Sequence, residues 1–178
     1  AKVSSRSIGR NCPICANKLL LPGFNDLSTT HPDIAKQSDG WDPTTVSFGS
    51  GKSANWKCEK GHTWSCTVRD RSAGRGCPIC SNQQVLAGCN DLASTNQALA
   101  KQADGWDPTR TTEKSGKIVN WKCELGHSWK AQIASRSYGA GCPICSGNTV
   151  LAGFNDLATT NPDLAGEADG WDPTTVSS

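Results

Sequence analysis

Three cysteines and a histidine stand in NWKCEKGHTWSCTVRDRSAGRGCPIC, residues 55–80, at spacings that suit metal ligation. Cys58 and His62 are parted by three residues, Cys77 and Cys80 by two, and fourteen residues separate the two pairs. Zinc takes four nitrogen or sulfur ligands at the corners of a tetrahedron, and two short loops must supply them because one loop cannot wrap round it. The same set returns as Cys123, His127, Cys142 and Cys145 with every spacing unchanged. Two independent copies of a complete ligand set point to two structural Zn2+ ions.

Other chemistries fit these residues less well. With four protein ligands, neither set keeps the open coordination position that a catalytic zinc needs. A thioredoxin-like redox pair would follow a strand in a larger α/β pattern and would need neither the histidine nor the third cysteine. A rubredoxin-like iron site more often uses four cysteines. A disulfide framework is disfavoured because the cysteines fall as CPIC pairs accompanied by histidine. The remaining histidine, His31, sits in TTHPDIA where the other copies have Asn96 and Asn161, which suits a capping or surface role. No catalytic set is left, so the chain is not expected to be an enzyme.

The repetition is the organising feature. CPIC occurs at Cys12 to Cys15, Cys77 to Cys80 and Cys142 to Cys145, NWKC at Asn55 and Asn120, and DGWDPT at Asp39, Asp104 and Asp169, all with a period of 65. This divides the chain into residues 1–15, the end of one repeat; 16–80 and 81–145, two zinc repeats; and 146–178, the start of a further one. Cys12 and Cys15 form only a possible half-site, because the partner motif would precede residue 1.

The elements that must position these ligands are short. With 35% hydrophobic residues, 18 glycines and no methionine, a large continuous core is not expected, so metal must help hold each unit together. SANWKC reads as a strand, and HTWSCTVR as a second strand in which Trp64, Cys66 and Val68 alternate with polar residues, giving a hairpin with the metal at its tip. Cys66 and Cys89 take the places of Ala131 and of Phe24 and Phe154, so both read as small buried hydrophobes. After each CPIC come a short apolar piece and NDL, then a short helix started by Asn161-Pro162-Asp163 and its counterparts. Gly40, Gly105 and Gly170 would end that helix in the left-handed conformation. Trp41, Trp106 and Trp171 would plug the core, and Trp56, Trp64, Trp121 and Trp129 would wall off the thiolates. The fold class is therefore small α+β, zinc-stabilised tandem repeats with a β-hairpin and a short helix per unit, in an elongated, monomeric array.

These motifs resemble the tandem "probable zinc-ribbon" repeats of bacterial and some phage and eukaryotic proteins, written WxCxxGHxWxxxxxxRxxGxGCPxC followed by NDL and a Pro-Asp helix. The resemblance covers essentially the whole chain and implies zinc-ribbon or treble-clef modules, which are commonly linked to nucleic-acid binding. The leucine-rich LLLPG and the VLAG pieces that follow CPIC favour the ribbon.

Charge follows the repeat. The net charge of +2 conceals blocks of +4 for residues 1–20, −3 for 21–50, +4 for 51–80, −2 for 81–109, +4 for 110–145 and −5 for 146–178. Between the ligand pairs, Arg6, Arg71 and Arg136 keep fixed places beside Gly9, Gly74 and Gly139, while neighbours such as Arg10, Arg69, Arg75, Ala134, Ala140 and Tyr138 vary. Two readings stay open: the fixed arginine clamps a phosphate while its neighbours read bases, or it pairs with Asp26, Asp91 or Asp156 and braces the repeat. Lys52, Lys57, Lys60, Lys114, Lys117, Lys122 and Lys130 would extend a phosphate-facing strip. A linear array with one basic patch per unit matches a linear polyanion, so the expected partner is DNA, most naturally double-stranded, with RNA as the near alternative. A protein-interaction or spacer array with purely structural zinc is the competing function. No membrane partner or small-molecule substrate is expected, and the location expected is intracellular, in cytoplasm, nucleoid or nucleus.

Overall fold

The structure, a computed structural model, describes residues 12–177. The chain divides into two compact units, one running to Gln84 and the other beginning at Val85. No helix among the described residues is long and apolar enough to cross a membrane.

In the first unit, α1 (Leu27–Thr30) and α2 (Pro32–Ala35) precede a 3-10 turn at Pro43–Thr45. An antiparallel hairpin of β1 (Ser53–Lys57) and β2 (Thr63–Thr67) follows, then α3 (Val68–Ser72). The second unit repeats this as α4 (Leu92–Thr95), α5 (Gln97–Ala100), β3 (Ile118–Lys122), β4 (Ser128–Gln132) and α6 (Ile133–Ser137). It ends with α7 (Leu157–Thr160) and α8 (Pro162–Ala165).

The motif NDL explains how each unit starts. Leu27 and Leu92 are wholly buried in the core. The Asp26 carboxylate accepts hydrogen bonds from the Thr29 amide at 2.9 Å, the Thr29 hydroxyl and the Gly23 amide, which caps α1. Asp91 and Asp156 do the same for α4 and α7. Asn25 sends its amide to the carbonyls of Ile14 and Leu19, both at 2.9 Å, and so ties the loop after CPIC to the CPIC turn; Asn155 does likewise to Ile144 and Thr149.

The hairpin completes the core. Pairing of Trp56 with Trp64 and of Trp121 with Trp129 fixes the register. Trp56 lies fully buried among Leu27, Ala35, Val46, Ala54 and Val68, with Trp41 edge-on to it at 5.1 Å. Trp121 repeats the arrangement with Leu92, Leu99 and Ile133, and Trp106 stands at 5.1 Å. Trp41 and Trp106 are anchored by indole bonds of 2.7 Å to the carbonyls of Asn55 and Asn120. In and just after the last helix pair, Leu164 and Trp171 are each 48% exposed, whereas Leu99 is 6% exposed.

Three sequence-based expectations change. The second strand is shorter than expected, because Val68 begins α3 and Ile133 begins α6. Thr67 caps the first of these by accepting from the Asp70 amide at 3.1 Å. Asn161-Pro162-Asp163 starts only the second of two single-turn helices, the first being capped by the aspartate of NDL. Gly40, Gly105 and Gly170 are left-handed, at φ between 74° and 77°, but they turn the chain into the tryptophan several residues after the helix has ended.

Candidate metal centre

Each hairpin carries its first ligand pair at the tip. The Cys58 amide donates to the His62 carbonyl at 3.0 Å and the Gly61 amide to the Cys58 carbonyl at 2.8 Å, closing a tight knuckle. Gly61 and Gly126 have φ of 83° and 85°, a conformation a side chain would strain. The second pair is carried on the arm that returns through α3 or α6. Amides of Ser81 and Ser146 donate to the carbonyls of Cys77 and Cys142, both at 3.1 Å, so one helical turn starts at the ligand pair itself.

The ligand atoms of Cys58, His62, Cys77 and Cys80 converge within 4.8 Å of one another, as do those of Cys123, His127, Cys142 and Cys145. Sulfur atoms of Cys58 and Cys80 are 3.9 Å apart and those of Cys123 and Cys145 are 3.8 Å apart. Each histidine presents Nδ1, at 3.2 Å from Cys80 for His62 and at 3.5, 3.8 and 3.3 Å from Cys123, Cys142 and Cys145 for His127. Zn–S and Zn–N bonds of about 2.3 and 2.0–2.1 Å set tetrahedral edges of roughly 3.8 Å between sulfurs and roughly 3.6 Å between sulfur and nitrogen. The observed edges lie close to these values, so the residues present fit one zinc ion per set.

The sulfurs of each set are pulled in opposite directions. Burial would raise the Cys58 thiol, but the backbone amides of His62 and Lys60, together with hydrogen bonds from Cys80 and Cys77, hold the group below its ordinary value. The amides of His127 and Leu125 do the same for Cys123. Burial, and then the neighbouring thiols, push Cys80 and Cys145 up to about 11. A cation is what allows all three sulfurs of a set to ionise together.

Of the fixed arginines, Arg136 and Arg71 turn toward the hairpin of their own unit. Arg136 is buried and donates to the Ala140 carbonyl and the Gln102 side chain. Its guanidinium carbon lies 5.3 Å from the Trp121 ring and 5.1 Å from the Trp129 ring. Burial lowers its pKa from the ordinary value, while the Cys142 and Cys123 sulfurs act in the opposite sense. Arg71 is half-buried and donates to Gln37 at 2.9 Å. For Arg136 both open readings are therefore corrected, and for Arg71 the expected aspartate partner is replaced by a glutamine. A phosphate cannot reach the Arg136 guanidinium enclosed by two tryptophans, and the brace runs from Arg136 to Gln102 and from Arg71 to Gln37, while the aspartates are occupied in capping. The signal for this pairing was in the sequence: Gln37 and Gln102 recur with the same period of 65 as the arginines.

The variable neighbours stay outside. Arg69, Arg75 and Lys130 are exposed, and Tyr138 is 81% exposed. Arg6 and Arg10 lie outside the described residues. Cys12 and Cys15 face each other, and the Cys12 thiol raises the Cys15 pKa, but no third ligand joins them among the described residues. Cys66 packs half-buried against the core, as expected. Cys89 does not: it is exposed, on a loop whose counterpart holds Phe154 with its ring 4.3 Å from that of His127.

Comparison with curated proteins gives no match. Two segments, residues 34–83 and 99–148, match the family described as "Probable Treble clef zinc finger domain". Each contains one complete ligand set, and together they make up more than half of the chain. That description also decides against the ribbon suggested by the leucines after CPIC, in agreement with the helical turn that begins at Cys77 and at Cys142. With two Cys3His cages built on matching hairpins, the chain belongs to the treble-clef zinc finger family and carries two of its fingers in tandem.

Proposed function

We propose that the chain is a non-catalytic nucleic-acid-binding array whose ligand is double-stranded DNA. The observation that carries this reading is the division of cations within each unit. Arg71 and Arg136 are used internally, whereas Lys52, Lys57, Lys60, Arg69 and Arg75 of the first unit are exposed and form no ion pair among the described residues. Lys114, Lys117, Lys122 and Lys130 stand likewise in the second. Strand alternation puts Lys122 and Lys130 on one face of the β3–β4 hairpin, the face away from Trp121. Cations held by a rigid scaffold and free of carboxylate partners attract phosphates and release condensed counterions on binding.

The zinc ions would then be structural, their four positions filled by protein, and the fingers would act as monomeric, additive binding units. Exchange of Arg69 and Arg75 for Ala134 and Ala140, and of Ala73 for Tyr138, would give each finger its own preference. Polarisation titrations with duplex DNA, single-stranded DNA and RNA at two salt concentrations test the reading. Binding to duplex that weakens steeply with salt supports it. Preference for RNA, or no binding even at low salt, overturns it, and the latter leaves the protein-interaction or spacer role.

A further inference from the structure

Beside each hairpin runs a strand edge that nothing in the unit pairs. In the first unit the bonds from the Cys58 amide to His62 and from the Val68 amide to Lys52 fix the parity: residues 62, 64, 66 and 68 face β1. The amides and carbonyls of Thr63, Ser65 and Thr67 therefore point away from it. The opposite edge, on β1, is taken, since Asp39 donates to Asn55 at 3.0 Å and Lys57 to Gln37 at 2.8 Å. The bonds from Cys123 to His127 and from Ile133 to Lys117 leave Ser128, Lys130 and Gln132 outward in the second unit.

An open groove of about 820 Å3 lies along the free edge of β2, between Ser65 and the turn Gly74-Arg75-Gly76. That turn bends at Gly74, φ 96°, and two glycines leave its backbone uncovered. The groove's one charged lining residue is Arg75, and no carboxylate lines it. Other depressions of the unit hold acids: Asp33 and Glu59 in one, Asp39 in another. In the second unit the equivalent of Arg75 is Ala140, yet the equivalent of Ser65 is Lys130. The cation has moved from the turn to the strand edge, and each unit keeps one.

We propose that this groove is the seat of a phosphate of the nucleic-acid backbone in the first finger, with Arg75 as its cation, and that the matching free strand edge of the second finger seats another, with Lys130 as its cation. The inference rests on the DNA reading above and adds the site. Outward strand amides and a single uncompensated cation offer several donors to one anion, and charge excludes an acidic wall as competitor. Tyr138, beside this turn in the second finger, then lies within reach of the strand held there.

The test is the slope of log affinity against log salt for duplex DNA and the full chain. R75A and K130A should each lower it by about 1, which removes about a three- to fourfold part of the affinity change between 50 and 200 mM salt. The double variant should lower it by about 2. K101A, which removes an exposed lysine that neither lines the groove nor stands on a hairpin strand, should leave it unchanged. Moving the cation, as S65K together with R75A, should restore the slope, a rescue that a merely structural role for Arg75 would not give. If wild-type protein binds duplex but R75A and K130A keep its slope, the groove assignment is overturned and the DNA reading stands. If wild-type protein does not bind duplex at low salt, the DNA reading fails first. Polyglutamate of equal charge, bound in place of DNA with the same Arg75 dependence, would overturn the assignment in favour of an acidic peptide.

Discussion

Replacing Arg136 by alanine should unfold the second finger sooner without touching nucleic-acid affinity. The side chain is 9% exposed and makes two hydrogen bonds, to Ala140 and Gln102, besides lying against two indole rings. Hydrogen bonds made by a charged donor contribute about 1.5–3 kcal/mol each, and a desolvated cation over an aromatic face up to about 2 kcal/mol. Water entering the vacated space returns part of this, so a net loss of about 3 kcal/mol is expected. For a unit of this size that corresponds to a fall in Tm on the order of 10–20 °C. Arg71→Ala should cost less, about 1–2 kcal/mol, since Arg71 is half-exposed and bonds to Gln37 at 2.9 Å. Arg136→Lys should recover only part, because an ammonium cannot span Ala140 and Gln102 as a planar guanidinium does. The assay is thermal unfolding followed by tryptophan fluorescence at fixed free zinc, paired with DNA titration well below the transition. An R136A protein of wild-type stability and a reduced salt slope would refute the brace and restore the phosphate clamp.

Purified protein should bind two equivalents of zinc, and a strong chelator should abolish the near-ultraviolet tryptophan signal of both fingers; a fold that survives complete metal removal would contradict the structural role. Trp56→Ala removes the fully buried centre of the first core and should cost about 3–5 kcal/mol, which denaturant titration would show as loss of one transition. The capping carboxylates Asp26, Asp91 and Asp156 are all held below their ordinary value: by the Thr29 and Thr159 hydroxyls for Asp26 and Asp156, and by hydrogen bonds from Ser94 and Gly88 that overcome burial for Asp91. A depressed folded pKa gives stability that is full above the ordinary value of 3.8 and is lost as pH falls through the folded value. Accordingly, an Asp91→Asn variant should melt several degrees below wild type at neutral pH, and the gap should close in that acid range; a gap independent of pH would contradict the carboxylate's role.

Ligand identity was legible because spacing alone dictates it: two loops, four donors and two faithful copies leave zinc little competition. Hairpin register was legible too, since alternation about Trp56 and Trp121 has period two. The start of α3 was announced by Thr67 and Asp70, three residues apart, but strand periodicity through Val68 concealed it. Cys89 misled because the apolar column it shares with Phe24 and Phe154 is itself exposed and not part of a core.

What the sequence determined by itself is the set of short-range commitments: metal ligands, caps, turns and the repeat of 65, each written within a few neighbouring residues. Only the tertiary structure decided which arginines face inward. Arg71 meets Gln37 and Arg136 meets Gln102 across 34 residues of chain, and Arg69 and Arg75 lie within four residues of Arg71 yet stand in water. A charge keeps no periodicity that reveals its side of the fold; its place follows from which indoles and carbonyls the hairpin closes over it.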